Sequence, residues 1–183
     1  MSIYKRIDIK SKINNYSVLF VNDFQRNLRI ESKDKLFFII DSRIRKLYQD
    51  KINSLIGKHP SITLEASEKI KTIDNAKVII KHLIENNVKK DFILVAIGGG
   101  TIQDITAFVA SILYRGVKWI FIPTTILAQC DSCIGSKTSI NVDEYKNQVG
   151  NFYPPSKIIL DVNFLKTLTQ SEVKSGLGEI IKV

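Results

Sequence analysis

The sequence predicts an open α/β domain with a largely parallel sheet and flanking helices. Three observations predict it. Short apolar runs rich in β-branched and aromatic residues alternate with stretches in which apolar residues recur every three or four positions. One such run, Phe92 to Ile97, enters three consecutive glycines and then a helical pattern. No internal repeat, low-complexity tract or Pro/Gly/Ser linker interrupts the 183 residues, so 1–183 reads as one domain.

Taken in order, residues 16–22 and 35–41 are expected strands. Residues 42–55 read as a helix because Ile44, Leu47, Tyr48, Ile52 and Leu55 fall on one face. A strand at 61–65 precedes a second amphipathic helix over 68–86, carried by Ile70, Ile73, Val78, Leu83 and Ile84. Strand 92–97 follows, then a more uniformly apolar helix at 101–113, which belongs deep in the fold. Strands at 118–123 and 157–161 flank a polar segment, 131–155, rich in Gly, Asn, Asp and Pro, that reads as a long functional loop. Helical character begins at Ser171, a candidate N-cap, and runs to apolar residues with no capping glycine, so the chain is expected to stop inside an element.

Composition narrows the function. With 44% hydrophobic and 25% charged residues the chain is neither disordered nor membrane-spanning in pattern, and its apolar runs fall well short of the roughly 20 residues of a membrane helix. Residues 1–12 carry charges where a secretory signal would be apolar. Two cysteines exclude a disulfide scaffold and fit a cytoplasmic protein. The net charge of +9 is uneven, 19 Lys/Arg against 11 Asp/Glu in 1–91 but 8 against 7 in 92–183. That basic half lacks interleaved aromatics or a reading motif, so it is taken as a solvated surface, with neither nucleic acid nor membrane as partner.

The chemistry gathers in the second half. Phe92-Ile-Leu-Val-Ala-Ile-Gly98-Gly99-Gly100-Thr101-Ile-Gln-Asp104 places glycines before a helix N-terminus, where backbone N–H groups and the helix dipole meet a phosphate, or where the glycines simply make a tight turn. Asp104 either accepts from ribose hydroxyls or favours the dipole. Thr124 and Thr125 close the next strand at the edge where open α/β sheets bind ligands, or cap a helix. Asp131 and Lys137 face one turn, and Lys146-Asn147 sits in mid-loop. Cys130 and Cys133 lack a second C-x-x-C to complete a zinc site and read as incidental thiols. Glu179 and Lys182 share a helix face, either as an ion pair or as a metal-ligating carboxylate beside a substrate-binding ammonium. His59 and His82 read as ordinary.

Gly98-Gly99-Gly100-x-x-x-Asp104, Tyr114-Arg115-Gly116, Pro123-Thr124-Thr125-x-Leu127-Ala128-Gln129-x-Asp131-Ser132, Gly135-x-Lys137-Thr138, Asn141, Lys146-Asn147, Phe164-Leu165-x-Thr167-Leu168 and Gly176-Leu177-x-Glu179-x-Ile181-Lys182 together resemble the 3-dehydroquinate synthases, a sugar-phosphate cyclase family. Glu68-Lys-Ile-Lys71 resembles that family's cofactor motif, with Ser67 in place of its glycine. The resemblance implies a Rossmann-like fold and an NAD-dependent, zinc- or cobalt-dependent carbon–oxygen lyase of the shikimate pathway. It would convert 3-deoxy-D-arabino-heptulosonate 7-phosphate to 3-dehydroquinate and phosphate.

By the same resemblance, Glu68, Lys71, Gly99, Gly100, Asp104, Thr124, Thr125, Lys137, Lys146, Phe164 and Thr167 would bind NAD. Asp131, Lys137, Asn147 and Lys182 would be catalytic and, with Lys146, hold the substrate. Arg115 would reach the neighbouring site of a homodimer, and Glu179 would be one metal ligand. Gln103, Cys133 and Ser136 depart from the family pattern. Family members continue into a helical, metal-binding domain, so the chain is expected to be an N-terminal half that is inactive alone. Other readings are a different sugar-phosphate cyclase, a metal-dependent polyol or glycerol-phosphate dehydrogenase of the same superfamily, or a non-enzymatic nucleic-acid binder.

Overall fold

The computed structural model describes residues 3–29 and 35–182, and for Arg29, Glu179 and Lys182 the backbone alone. Its strands are β1 (Ile3–Ile9), β2 (Tyr16–Val21), β3 (Leu36–Asp41), β4 (Ser61–Leu64), β5 (Ile93–Gly98), β6 (Lys118–Pro123), β7 (Lys137–Val142), β8 (Tyr145–Phe152) and β9 (Lys157–Asp161). Its helices are α1 (Phe24–Arg29), α2 (Ser42–Leu47), α3 (Gln49–Ile56), α4 (Ile73–Glu85), α5 (Gly100–Ile112) and α6 (Gln170–Lys182).

Seven strands form one sheet in the order β1-β2-β9-β6-β5-β3-β4, parallel except that β1 runs against β2. Phe37 to Ile40 of β3 and Leu94 to Ile97 of β5 are wholly inaccessible to solvent, which is why these strands read as unbroken apolar runs rather than alternating ones. Helices α4 and α5 cover one face through Ala76, Ile79, Leu83, Ile102, Ile105 and Val109. Helices α1 to α3 cover the other through Phe24, Leu28, Ile44, Ile52 and Leu55. Burying each large apolar side chain of α5 contributes about 1.5–3 kcal/mol, so this helix is fixed firmly to the sheet. From β3 the chain moves outward to β4, whereas from β5 it moves the opposite way to β6. The strand order therefore reverses between β3 and β5, and the crevice beyond their carboxyl ends is where such sheets bind ligands.

Several expectations are corrected. The segment 131–155 is largely a hairpin, β7 with β8. Its signal is weak because β7 alone buries side chains, Thr138 and Ile140 among them, while nearly all of β8 is exposed. The helix expected over 42–55 is two helices, α2 and α3, broken at Tyr48 (φ −118°). The helix expected from 68 starts at Ile73, because residues 71 and 72 pair with the hairpin: Asn141 N donates to Lys71 O at 2.6 Å and Thr72 bridges Asn141. Residues 68–70 make a single 3₁₀ turn instead. β1 and α1 were not anticipated; β1 is an exposed edge strand and α1 has six residues, so neither carries a clear period.

The start of α6 is also displaced. Its cap is Thr169 rather than Ser171: Glu172 N donates to Thr169 Oγ1 at 3.3 Å, and Thr169 N donates to Glu172 Oε2 at 2.7 Å, a reciprocal capping box. The Arg43 guanidinium closes on the same carboxylate and ties α2 to α6. The Arg43 bond holds the Glu172 carboxyl at about 2, against an ordinary 4.5. Its contribution to stability is thus present above pH 4.5 and lost as the pH falls toward 2. Both side chains are a third or more exposed, so water screens the pair. Glu172→Gln is expected to cost about 1 kcal/mol at pH 7, and less at pH 3, by urea denaturation. An equal cost at both pH values would refute the ionic part.

No helix among the described residues is long and apolar enough to cross a membrane.

Candidate functional site

Strand β5 ends at Gly98 and α5 begins at Gly100. Gly99 has φ −85°, and none of the three glycines has a positive φ, so space rather than backbone freedom selects them. A Cβ on Gly98 would lie 2.6 Å from Ile102 Cγ1, and one on Gly99 3.0 Å from Thr125 Cγ2. Gly98 and Gly99 thus let α5 and the end of β6 close on the turn. At Gly100 a Cβ would meet only Ser132 Oγ, at 3.8 Å, so this side is open to approach.

The N-terminus of α5 has no side-chain cap and no acid in its first turn. Its first N–H groups have no acceptor within the helix, and the dipole leaves partial positive charge there. Beside it Thr124 N donates to Gly98 O at 3.0 Å, while the Thr124 hydroxyl, 1% exposed, has no hydrogen-bond partner among the described residues. A narrow cleft of about 30 Å³ brings Thr124, Thr125 and Thr167 together with Asp41, the last residue of β3.

A second group forms where the 3₁₀ turn, α5 and the hairpin meet. Lys71, 5% exposed, places Nζ 2.8 Å from Asp104 Oδ2, 2.8 Å from Asn147 Oδ1 and 3.4 Å from Glu68 Oε1. Ser139 Oγ stands 3.2 Å from Asp104 Oδ2 and 2.9 Å from Asn147 Oδ1, so its one proton serves either. Asn141 donates to Glu68 Oε1 at 2.9 Å and accepts from Asn147 N at 2.8 Å. Burial raises the Asp104 carboxyl above its ordinary range, and Lys71 and Ser139 only partly offset it. Burial also pulls Glu68 upward, but its bond from Asn141 and the Lys71 charge outweigh that and hold it low.

The structure thus joins Glu68, Lys71, Asp104 and Asn147 in one network, and Gly99, Gly100, Thr124 and Thr125 in a turn nearby. Asp131, Lys137 and Lys146 are exposed, and of these the Lys146 charge helps to hold Glu68 low. Lys137 and Asn147 line an open cleft of about 400 Å³ along the hairpin. The Phe164 ring is core, packed on Phe24 (4.8 Å) and Tyr48 (5.0 Å), and Thr167 Oγ1 lies 3.0 Å from Tyr48 Oη. Arg115 is exposed and follows the far end of α5, about 20 Å from the glycine turn by the rise of a 13-residue helix. Its turn is held by Lys90, which donates to the carbonyls of Tyr114, Arg115 and Gly116. The side chains of Glu179 and Lys182 lie outside the described residues. Cys130 is exposed and unpaired, and burial pushes the Cys133 thiol up to about 12.

Sequence reasoning missed two residues of these groups. Asp41 closes an apolar strand at the switch point, a signal present in Phe38-Ile-Ile-Asp41. Ser139 alternates with buried Thr138 and Ile140, visible only once β7 is known to be a strand.

A family model described as 3-dehydroquinate synthase N-terminal matches residues 61–175. A curated 3-dehydroquinate synthase of Clostridium tetani is 41% identical over 156 residues, covering 84% of this chain and 42% of that protein. The chain spans about half the length of the curated relatives it matches. Among solved structures, 2-deoxy-scyllo-inosose synthase complexed with carbaglucose-6-phosphate, NAD+ and Co2+ superposes with TM-score 0.86 at 24% identity, over 97% of this chain and 51% of that one, a likeness of fold. The 2-epi-5-epi-valiolone synthase of Streptomyces hygroscopicus, with NAD+ and Zn2+ bound, gives TM-score 0.84 at 26% identity, over 96% and 51%.

Proposed function

The chain belongs to the 3-dehydroquinate synthase family, and from that premise we propose that it is the NAD-binding domain of a cytoplasmic carbon–oxygen lyase. The reaction would convert 3-deoxy-D-arabino-heptulosonate 7-phosphate to 3-dehydroquinate and phosphate in a homodimer using NAD and a divalent metal. One observation carries the cofactor reading. The uncapped start of α5, the open side of Gly100 and the unpartnered Thr124 hydroxyl converge at the switch point of the sheet. Backbone N–H groups of that turn suit a pyrophosphate, and the Asp41 and Asp104 carboxylates suit hydroxyls. NAD, once bound, would take a hydride from, and return it to, the carbon bearing a substrate hydroxyl, the hydroxyl proton leaving and returning with it.

The chain's own groups would bind and orient. Lys137 and Lys146, exposed at the hairpin, would attract a doubly anionic substrate, with Arg115 serving the partner subunit's site. Asn147 Oδ1 is engaged by Lys71, which turns its Nδ2 into a donor for a ligand oxygen. Lys71 itself is saturated by three partners, so its work is to set Asp104 and Asn147. Asp131 and Lys182 would complete the substrate's polar contacts, and Glu179 would be one metal ligand. Among the described residues no group of three or more His, Cys, Asp or Glu stands together. Glu179 would therefore need partner ligands from outside the described residues.

Two measurements test the reading. NAD titrated into the chain is expected to bind saturably, as followed by calorimetry. The complete gene product is expected to release phosphate from the heptulosonate phosphate with no net gain in reduced-nicotinamide absorbance. Accumulation of reduced NAD with a polyol substrate would instead assign a dehydrogenase.

A further inference from the structure

Gln103 is 4% exposed, although it sits in the first turn of α5 beside the glycines. A buried primary amide is costly unless both its ends find partners. Here both ends meet one residue: Nε2 donates to Ser132 O at 2.6 Å, and Ser132 Oγ donates to Oε1 at 2.8 Å. A single bond would fix a distance; two opposed bonds also fix the orientation of the segment they hold.

That segment is unusual. Residues Ala128–Ser132 wind as a π-turn, closed by Cys133 N donating to Ala128 O at 3.2 Å. Such turns are rare and are found frequently at functional sites. The turn carries Asp131 and sets Ser132 Oγ against the open side of Gly100. We propose that Gln103 is a positioning residue: its two-point bond to Ser132 clamps the π-turn onto the first turn of α5. The Ser132 side of the glycine turn and the Asp131 carboxylate would then be set before any ligand arrives. Preorganisation of this kind raises affinity by removing an ordering cost from the binding step. The proposal rests on the reading that the glycine turn takes NAD.

Gln103→Leu keeps the bulk and removes both bonds, whereas Ser132→Ala removes only the Oγ arm. In Gln103→Leu, hydrogen exchange at Cys133 and Ile134 should quicken at least tenfold while β5 and α4 keep their protection. NAD affinity of the chain should fall about tenfold, the scale of one lost buried hydrogen-bond pair. Ser132→Ala should lie between this variant and the parent in both measurements, and it carries the test if Gln103→Leu does not fold. Unchanged local exchange in Gln103→Leu, or in Ser132→Ala if that variant must stand alone, would overturn the clamp. Quickened exchange with unchanged NAD affinity would overturn its role in cofactor binding. If the parent chain binds no NAD, the cofactor reading fails by itself, and the exchange measurement still decides the clamp.

Discussion

Lys71→Met is expected to lower the free energy of unfolding by about 3–5 kcal/mol at pH 7, the cost of removing one partner from a buried ion pair. The side chain of Lys71 is 7% exposed and that of Asp104 21%, at an N–O distance of 2.8 Å. The methionine fills the same space, so the loss is electrostatic rather than a cavity. Asp104 then has one escape, which is to take up a proton. Burial already raises its carboxyl above the ordinary 3.8 with the ammonium present. Without Lys71 it rises further. An acid raised in the folded state destabilises when ionised and ceases to do so once protonated, so the deficit is full at pH 7 and shrinks as the pH falls toward about 4. Urea midpoints at pH 7 and pH 5 should show that convergence. Lys71→Met with Asp104→Asn should recover more than half of the loss, since the one carboxylate then left without the ammonium is Glu68, which is 43% exposed and still bonded by Asn141. A cost below about 1 kcal/mol at pH 7 would mean that the pair is solvated and worth no more than a surface one.

The sheet was legible because its inner strands are buried on both faces. Phe37 to Ile40 and Leu94 to Ile97 announce themselves by unbroken apolar character, and the bounds of β6 and β9 match the expected strands. Helix α5 was legible for the same reason. What failed was structure held by other structure. Lys71 and Thr72 look helical, but the backbone of Asn141, about 70 residues onward, captures them. No local period can report a contact made across the fold. The hairpin failed because half of its side chains face water and leave only Thr138 and Ile140 as a signal. Thr169-Gln-Ser-Glu172 was legible in principle, since the capping-box spacing is in the sequence, and Ser171 was the wrong choice of hydroxyl. The site divides similarly. The glycine turn and the two threonines follow from a strand meeting a helix, whereas the pairing of Lys71 with Asp104 and Asn147 exists only because the hairpin folds back over α5.

That dependence makes Gly150→Ala the most informative test of the hairpin. Gly150 opposes Ser139 in the β7–β8 pairing. A Cβ there would lie 1.9 Å from Thr138 O and 2.9 Å from its carbonyl carbon. Both atoms are backbone, so no side-chain rotation relieves the clash, and Thr138, 3% exposed, is itself anchored in the core. The hairpin must shift register or separate, at about 3 kcal/mol, the upper end of the usual range for overpacking. Gly57→Ala is the matched control: its φ of +54° with ψ −114° strains an alanine, but nothing lies within 4 Å of the new Cβ, so about 1–3 kcal/mol of purely local strain is expected. The two variants also differ in where the damage falls. In Gly150→Ala, Ser139, Asn141 and Asn147 leave Lys71, Asp104 and Glu68, so protease cleavage within 137–152 should quicken and NAD affinity fall together. In Gly57→Ala both should stay at the parent level. If Gly150→Ala lost stability but kept its NAD affinity, the hairpin would be a cover for α5 and not a part of the site.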